Sequence, residues 1–202
     1  MPRLLLAPGS AVALAVLLSS GWPAPSGPSG PGRILFVSRN PAAEAAQGAV
    51  PGLGPRHRAL ATGGRLMVSD GTHAPSTFGG QVPWPYFDVS DPSVAPGGRQ
   101  IAFAATNHPD SAWRIRIYSM DGDRAGLSPW VIPPAAISIR YDDLDPTWLD
   151  DSTLVFASTR EGQRSQYDGT PVTEIYRFDF RHASLARITA ERNGAEEPCV
   201  DP

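Results

Sequence analysis

The chain of 202 residues contains 22 Pro and 20 Gly, so about a fifth of it breaks helices and makes turns, and long helical architectures are excluded. Hydrophobic residues at 41% against 18% charged supply enough apolar material for a core and exclude a wholly disordered or collagen-like chain. The formal net charge of −3, with no Lys and every cation an Arg, gives no basic footprint for nucleic acid or for an anionic membrane surface.

In chain order, Met1-Pro2-Arg3 leads into an apolar run over residues 4–18, interrupted only by Pro8-Gly9-Ser10 and followed by the small residues Ser19-Ser20-Gly21. This pattern predicts a secretory signal peptide over residues 1–21, because the run is too short and too broken to span a membrane of about 20 apolar residues. Residues 22–32 are rich in Pro, Gly and Ser and read as a linker. The folded part is expected over residues 33–202, with the product periplasmic or secreted. Cys199 is the one cysteine, so export brings no intrachain disulfide and the fold must rest on its own core.

Internal repetition is the most informative feature. Asp91-Pro92-Ser93 opens a segment that ends in Ile101-Ala102-Phe103-Ala104-Ala105-Thr106. Asp145-Pro146-Thr147-Trp148 opens another, ending in Leu154-Val155-Phe156-Ala157-Ser158-Thr159. A third copy opens at Glu197-Pro198-Cys199, and an earlier, degenerate one places Phe36 under Phe103. A second recurring element aligns Ile117-Tyr118-Ser119 with Ile175-Tyr176-Arg177, and more weakly with Leu66-Met67-Val68. Each copy holds brief apolar or period-two runs, which read as strands. Pro96-Gly97-Gly98, Asp150-Asp151-Ser152 and Asp121-Gly122 supply hairpin turns. Repeats of about 52–54 residues with several strands each predict an all-β chain forming part of a β-propeller. The chain is expected to end inside a repeat, with the remaining blades missing.

The Asp-Pro-x-Trp-x-x-Asp pattern, the apolar strand ending Phe156-Ala157-Ser158-Thr159-Arg160 and the following Ile175-Tyr176 resemble the WD-repeat-like propeller repeat of TolB-type proteins. Tyr141-Asp142-Asp143-Leu144-Asp145-Pro146-Thr147-Trp148 is also similar to the propeller region of hydrazine synthase alpha-like proteins. The resemblance implies structural roles for Asp91, Pro92, Phe103, Asp145, Pro146, Trp148 and Phe156. It implies an exported, non-catalytic scaffold that binds a protein or small ligand in the cell envelope. The alternative is the propeller portion of a larger envelope enzyme, a serine peptidase or a hydrazine synthase-like haem protein, whose active domain lies beyond this chain.

The residues carry no catalytic motif: there is no Gly-x-Ser-x-Gly elbow, and Cys199 lacks the Cys-x-x-Cys-His that attaches c-type haem. No cofactor, catalytic residue or nucleic-acid partner is expected, and no membrane span in the mature chain. Asp142, Asp143 and Asp145 are the only candidates for a hard cation such as Ca²⁺, but Asp145 fits better as the cap of a turn entering a strand, as does Asp91. His57, His73, His108 and His182 read as solvated loop residues. Most aromatics stand at repeat-equivalent or strand-flanking positions and read as packing between blades. Trp84 and Tyr86, between turn signals, are the candidates for an exposed binding face.

Overall fold

The computed structural model describes residues 15–17 as backbone, and residues 32–39, 63–79, 85–120, 126–128, 132–135 and 140–201 in full. The Asp121-Gly122 turn, Trp84, His57 and most of the 1–21 leader and 22–32 linker lie outside the described residues. The described chain is all-β. Its strands are β1 (Ala15–Leu17), β2 (Ile34–Ser38), β3 (Arg65–Ser69), β4 (Ser76–Thr77), β5 (Asp88–Val94), β6 (Gln100–Thr106), β7 (Arg114–Ser119), β8 (Gly126–Leu127), β9 (Asp143–Asp150), β10 (Thr153–Ser158), β11 (Glu174–Asp179) and β12 (Ser184–Arg187). They form three four-stranded antiparallel sheets in the orders β1-β2-β3-β4, β5-β6-β7-β8 and β9-β10-β11-β12. Each is a meander of sequential strands, and the three do not close into a ring. Among the described residues no helix is long and apolar enough to cross a membrane.

The ladders explain why the repeat has the residues it has. Ser90 pairs with Ala104 and Ser93 with Ala102, so Asp91-Pro92 forms a bulge opposite Phe103. Leu144 pairs with Ala157 and Thr147 with Val155, which puts Asp145-Pro146 opposite Phe156 in the same way. A bulge leaves its extra residue unpaired, so a Pro without an N–H is tolerated there. Asp91 and Asp145 adopt φ of 50° and 49°, a left-handed conformation that Asp enters more readily than most residues. Glu197, which also precedes a Pro, has φ 52°, so the third copy opens with the same kink. The Pro96-Gly97-Gly98 and Asp150-Asp151-Ser152 turns close the β5–β6 and β9–β10 hairpins as expected. In the second, the Ser152 N–H and hydroxyl both donate to Asp150 Oδ1, at 2.7 and 2.8 Å.

The second recurring element is in a different register from the one the sequence suggests. Ile115 lies opposite Ala104, Ile175 opposite Ala157 and Leu66 opposite Val37, so Ile115, not Ile117, is the counterpart of Ile175. The shift is two residues, and because side chains in a strand alternate with period two it leaves the same face inward.

The sheets stack face to face through two cores. Leu35, Val37 and Leu66 of the first sheet pack on Ile101 and Phe103 of the second. Ala102, Ile115 and Ile117 of the second pack on Leu154, Phe156 and Trp148 of the third. The second and third sheets thus each offer a Phe, with an Ile or Leu beside it, to the sheet before, which meets it with aliphatic side chains. Phe103 and Phe156 are wholly buried, while Phe36, with no described sheet before it, is partly exposed.

Candidate functional site

Three kinked segments converge on one groove. Asp91-Pro92-Ser93, Asp145-Pro146-Thr147-Trp148 and Glu197-Pro198-Cys199-Val200 together line a space of about 400 Å³. They are brought together because the first strand of each sheet packs beside the first strand of the next. The contacts between them are specific: Trp148 N–H donates to Ser93 Oγ at 3.3 Å, Thr147 Oγ1 donates to the Pro198 carbonyl at 2.8 Å, and Glu197 N–H donates to Asp145 Oδ2 at 3.4 Å. The hydroxyl two residues after each Asp therefore stitches one inner strand to the next, and Cys199 holds the equivalent place in the third segment. Of the residues around the groove, Pro92, Asp145, Pro146 and Trp148 are buried, and Glu197, Cys199 and Val200 are exposed.

Above the groove, a clasp repeats between sheets. Gly64 N–H donates to Asp88 Oδ1 at 2.9 Å, and Trp113 N–H donates to Asp142 Oδ1 at 2.9 Å. The next residue in each case is an Arg that reaches across the same junction: Arg65 Nη1 donates to the Phe87 carbonyl at 3.4 Å, and Arg114 Nη1 to the Tyr141 carbonyl. Burial pushes the Asp88 carboxyl above the ordinary carboxylate range, against the opposing pull of Arg39, whose Nη1 lies 2.7 Å away. In the third sheet the Arg position holds Glu174, whose carboxylate accepts Thr189 Oγ1 at 2.5 Å and Glu191 N–H at 3.0 Å. The junction there is made by Thr173 and Ala195, which exchange bonds of 2.8 Å.

The candidate metal residues separate in the structure. Asp142 is taken by the clasp. Asp143 pairs with Arg160 at 2.9 Å, both side chains being 3% exposed, and also accepts Ser158 Oγ at 2.6 Å. Burial raises the Asp143 carboxyl, and Arg160 pulls it back. Asp145 forms the kink. Among the described residues no group of three or more His, Cys, Asp or Glu is placed to hold a metal ion. Arg160 also lies over the rings of Phe156, Tyr176 and Tyr141 at 5.1, 5.2 and 5.5 Å, so it is held by aromatic faces as well as by its carboxylate.

Tyr86 is not presented to solvent: it is 9% exposed, packed edge-on against Phe103 at 5.9 Å. Its position between turn residues suggests exposure only because Phe103, distant in sequence, is invisible to local pattern. His73, His108 and His182 are exposed, with side-chain exposures of 83, 68 and 74%. Two of them close equivalent turns, His73 with Asp70 at 2.9 Å and His182 with Asp179 at 2.8 Å, a pairing marked in the sequence by Asp-x-x-His at the third strands of the first and third sheets, though not of the second.

No protein-family model matches the chain, and no curated protein does. Solved structures do. A puromycin hydrolase matches 79% of this chain and 22% of its own length, at 14% identity and a TM-score of 0.47. The AtxE2 isopeptidase matches 90% of this chain and 30% of its own, at 18% identity and 0.44. A protein assigned as TolB from Agrobacterium tumefaciens matches 81% of this chain and 45% of its own, at 14% identity and 0.45. The chain therefore spans less than half the length of each of these structures.

Proposed function

We propose that the three sheets are blades of a TolB-like β-propeller, exported to the cell envelope, whose role is to bind a protein or small ligand without catalysing a reaction. The reading is carried by the convergence of Asp91, Asp145 and Glu197, each left-handed and each followed by Pro, on one groove along the inner strands. Radial packing of meander sheets, with their first strands innermost, is what builds such a groove. Pockets of a few hundred Å³ lined by apolar groups and a few fixed polar ones are the usual form of a ligand site. Fold alone does not set function, so the binding role rests on the groove.

The test is photo-crosslinking in intact cells from an amino acid with a benzophenone side chain, placed at the exposed Cys199 or Val200 in the groove, or at Arg181 in an outer turn as the control. Adducts from the groove positions alone are expected. Equal labelling from Arg181, or none from the groove, refutes the binding role. Osmotic-shock fractionation and N-terminal sequencing of the same product test export: a start between about residues 22 and 33 is expected, and intact Met1 in the cytosol refutes it.

A further inference from the structure

We propose that Asn193-Gly194 is a site of spontaneous covalent modification, at which the Gly194 nitrogen attacks the Asn193 side-chain amide while the Ser165 hydroxyl stabilises the charge that develops on Asn193 Oδ1. The products are a succinimide and then an aspartate or isoaspartate, formed in a turn that docks on the loop between β10 and β11.

Three Asn occur in the chain, and Asn193 is the one followed by Gly. Asn is a thermolabile residue, most of all before Gly, whose missing Cβ leaves the following nitrogen unshielded. Asn193 is exposed, so water and hydroxide reach it. Ser165 Oγ donates to Asn193 Oδ1 at 3.1 Å. The direction of that hydroxyl is fixed, because Ser165 Oγ itself accepts the N–H groups of Tyr167 and Asp168 at 3.1 and 3.4 Å. These take its lone pairs and leave its proton for Asn193. Ser165 is buried in a cross-bonded loop: its N–H donates to the Thr170 carbonyl at 2.8 Å, and Gln166 N–H donates to the Arg192 carbonyl at 3.1 Å. A donor thus stands preorganised at the oxygen where negative charge appears, which is the arrangement of an oxyanion hole.

In the reaction the Gly194 amide proton passes to hydroxide and the nitrogen bonds to Asn193 Cγ. The Cγ–Nδ2 bond then breaks, Nδ2 taking a proton from water and leaving as ammonia. Water opens the succinimide at either carbonyl, giving aspartate or isoaspartate. The bond that must be released first is long: Gly194 N–H donates to the Glu191 carbonyl at 3.3 Å. The Asp-Gly pairs among the described residues lack this arrangement. Gly169 N–H donates to the Ser165 carbonyl at 3.0 Å, and the Asp168 carboxylate accepts the N–H and hydroxyl of Thr170 at 3.1 and 2.9 Å. The Asp70 carboxylate accepts the N–H groups of Thr72 and His73, each at 2.9 Å. Such bonds hold Asp70 ionised, below the usual carboxylate range, and an ionised carboxylate is a poor electrophile.

The turn has no slack for the product. A Cβ at Gly194 would lie 2.8 Å from Val172 Cβ and 2.9 Å from the Thr173 carbonyl oxygen, so the main chain passes here in close contact with its neighbours. Isoaspartate adds a methylene to that main chain. The insertion falls between the Arg192 carbonyl, bonded to Gln166, and Ala195, which exchanges 2.8 Å bonds with Thr173. It also adds a negative charge to a stretch that already holds Glu191, Glu196 and Glu197. Conversion therefore loosens the Thr173–Ala195 junction.

The experiment uses the full chain, kept folded at mildly alkaline pH or dissolved in concentrated urea at the same pH, and sampled over days. Peptide mapping by mass spectrometry measures conversion, and an isoaspartate-specific methyltransferase labels the product. Folded wild type is expected to convert at Asn193 severalfold faster than urea-unfolded wild type; equal or slower conversion overturns the proposal without recourse to any variant. Ser165→Ala, its fold checked by circular dichroism, is expected to slow conversion severalfold in the folded protein and to leave it unchanged in urea, and Ser165→Thr to restore it. A Ser165 that merely restrained the amide would release it on removal, so faster conversion in folded Ser165→Ala overturns the oxyanion role. Amide exchange at Ala195 is expected to rise with the converted fraction, and exchange unchanged in converted protein overturns the coupling to the junction.

Discussion

Asp88 and Asp142 occupy the same place in successive sheets and do the same thing: each carboxylate accepts, at 2.9 Å, the backbone N–H that precedes the third strand of the sheet before it. These bonds cross each sheet-to-sheet junction beside its apolar packing, together with the Arg65 and Arg114 bonds to the Phe87 and Tyr141 carbonyls, and help fix the register of one sheet on the next. Asp142→Ala leaves the Trp113 N–H without its acceptor and removes a charge-assisted bond, for an expected loss of about 1–3 kcal/mol. Urea unfolding of the variant against wild type measures it, and a midpoint unchanged within error contradicts the clasp.

How much of this the sequence shows depends on whether side chains or backbone carry the contact. The Asp-Pro kinks and the Phe opposite each bulge are legible because the bulge requires them at Asp91-Pro92 and Phe103, and again at Asp145-Pro146 and Phe156. The clasp is only half legible. Its acceptors lie three residues before each kink, as Asp88 before Asp91 and Asp142 before Asp145, and that spacing could have found them. Its donors are the N–H groups of Gly64 and Trp113, residues with nothing in common, which no side-chain pattern marks. The buried Asp143–Arg160 pair is invisible for another reason: an Asp within an acidic run reads as solvated or metal-binding until the strand pairing brings Arg160 to it. The same gap hides the burial of Tyr86.

Arg160 is the compensating charge for a carboxylate 3% exposed. Arg160→Met removes it and leaves Asp143 buried without its cation, which is expected to cost about 3–5 kcal/mol at neutral pH. The loss should depend on pH with a definite sign. Burial already holds the Asp143 carboxyl above its ordinary 3.8, and without Arg160 it rises further. A raised folded-state value means that stability falls as pH climbs from the ordinary value through the folded one. The variant should therefore approach wild type as pH is lowered toward about 4. Denaturation curves at several pH values check this, and a deficit that stays constant with pH argues against an uncompensated Asp143.

Gly64 has no room for a side chain. A Cβ there would lie 2.3 Å from the Val89 carbonyl oxygen and 2.5 Å from Asp88 Oδ1, and the first of these is backbone, which cannot swing aside. Gly64→Ala should push the first two sheets apart and break their clasp, costing at least as much as overpacking of a core, about 1–3 kcal/mol. Gly126→Ala, where nothing among the described residues lies within 4 Å, is the comparison. Thermal melts should show the larger fall for Gly64→Ala even though Gly126, at φ 154°, is also strained by a Cβ. The reverse order contradicts close approach at Gly64.

Phe156→Ala opens a cavity in the core between the second and third sheets, where its ring stacks on Tyr176 at 5.9 Å, and should cost about 3–5 kcal/mol. Phe36→Ala, at the equivalent but partly exposed position, should cost much less. Tyr167→Ala, at a residue 92% exposed, should stay within about 0.5 kcal/mol of wild type. Equal losses from all three contradict the strand faces described here.

Acid should loosen the outer turns first. In the turn after β11, the Asp179 carboxylate binds His182 Nδ1 at 2.8 Å and the Arg181 N–H at 2.8 Å, and the His182 bond above all holds it below its ordinary 3.8. The same arrangement at Asp70 and His73 depresses Asp70. A depressed folded-state value contributes stability that is present above the unfolded value and lost as pH falls toward the folded one, so this contribution disappears below about pH 4. Both carboxylates sit in exposed turns, so the effect should be modest and screened by salt. Asp179→Asn keeps the turn's shape but cannot titrate. The variant should be less stable than wild type at pH 7, with the gap closing as pH drops below 4. Amide exchange at Arg181 and His182, followed across that range, reads the turn directly. Protection of these two amides that is unchanged from pH 7 to pH 3 in wild type would show that the carboxylate does not hold the turn.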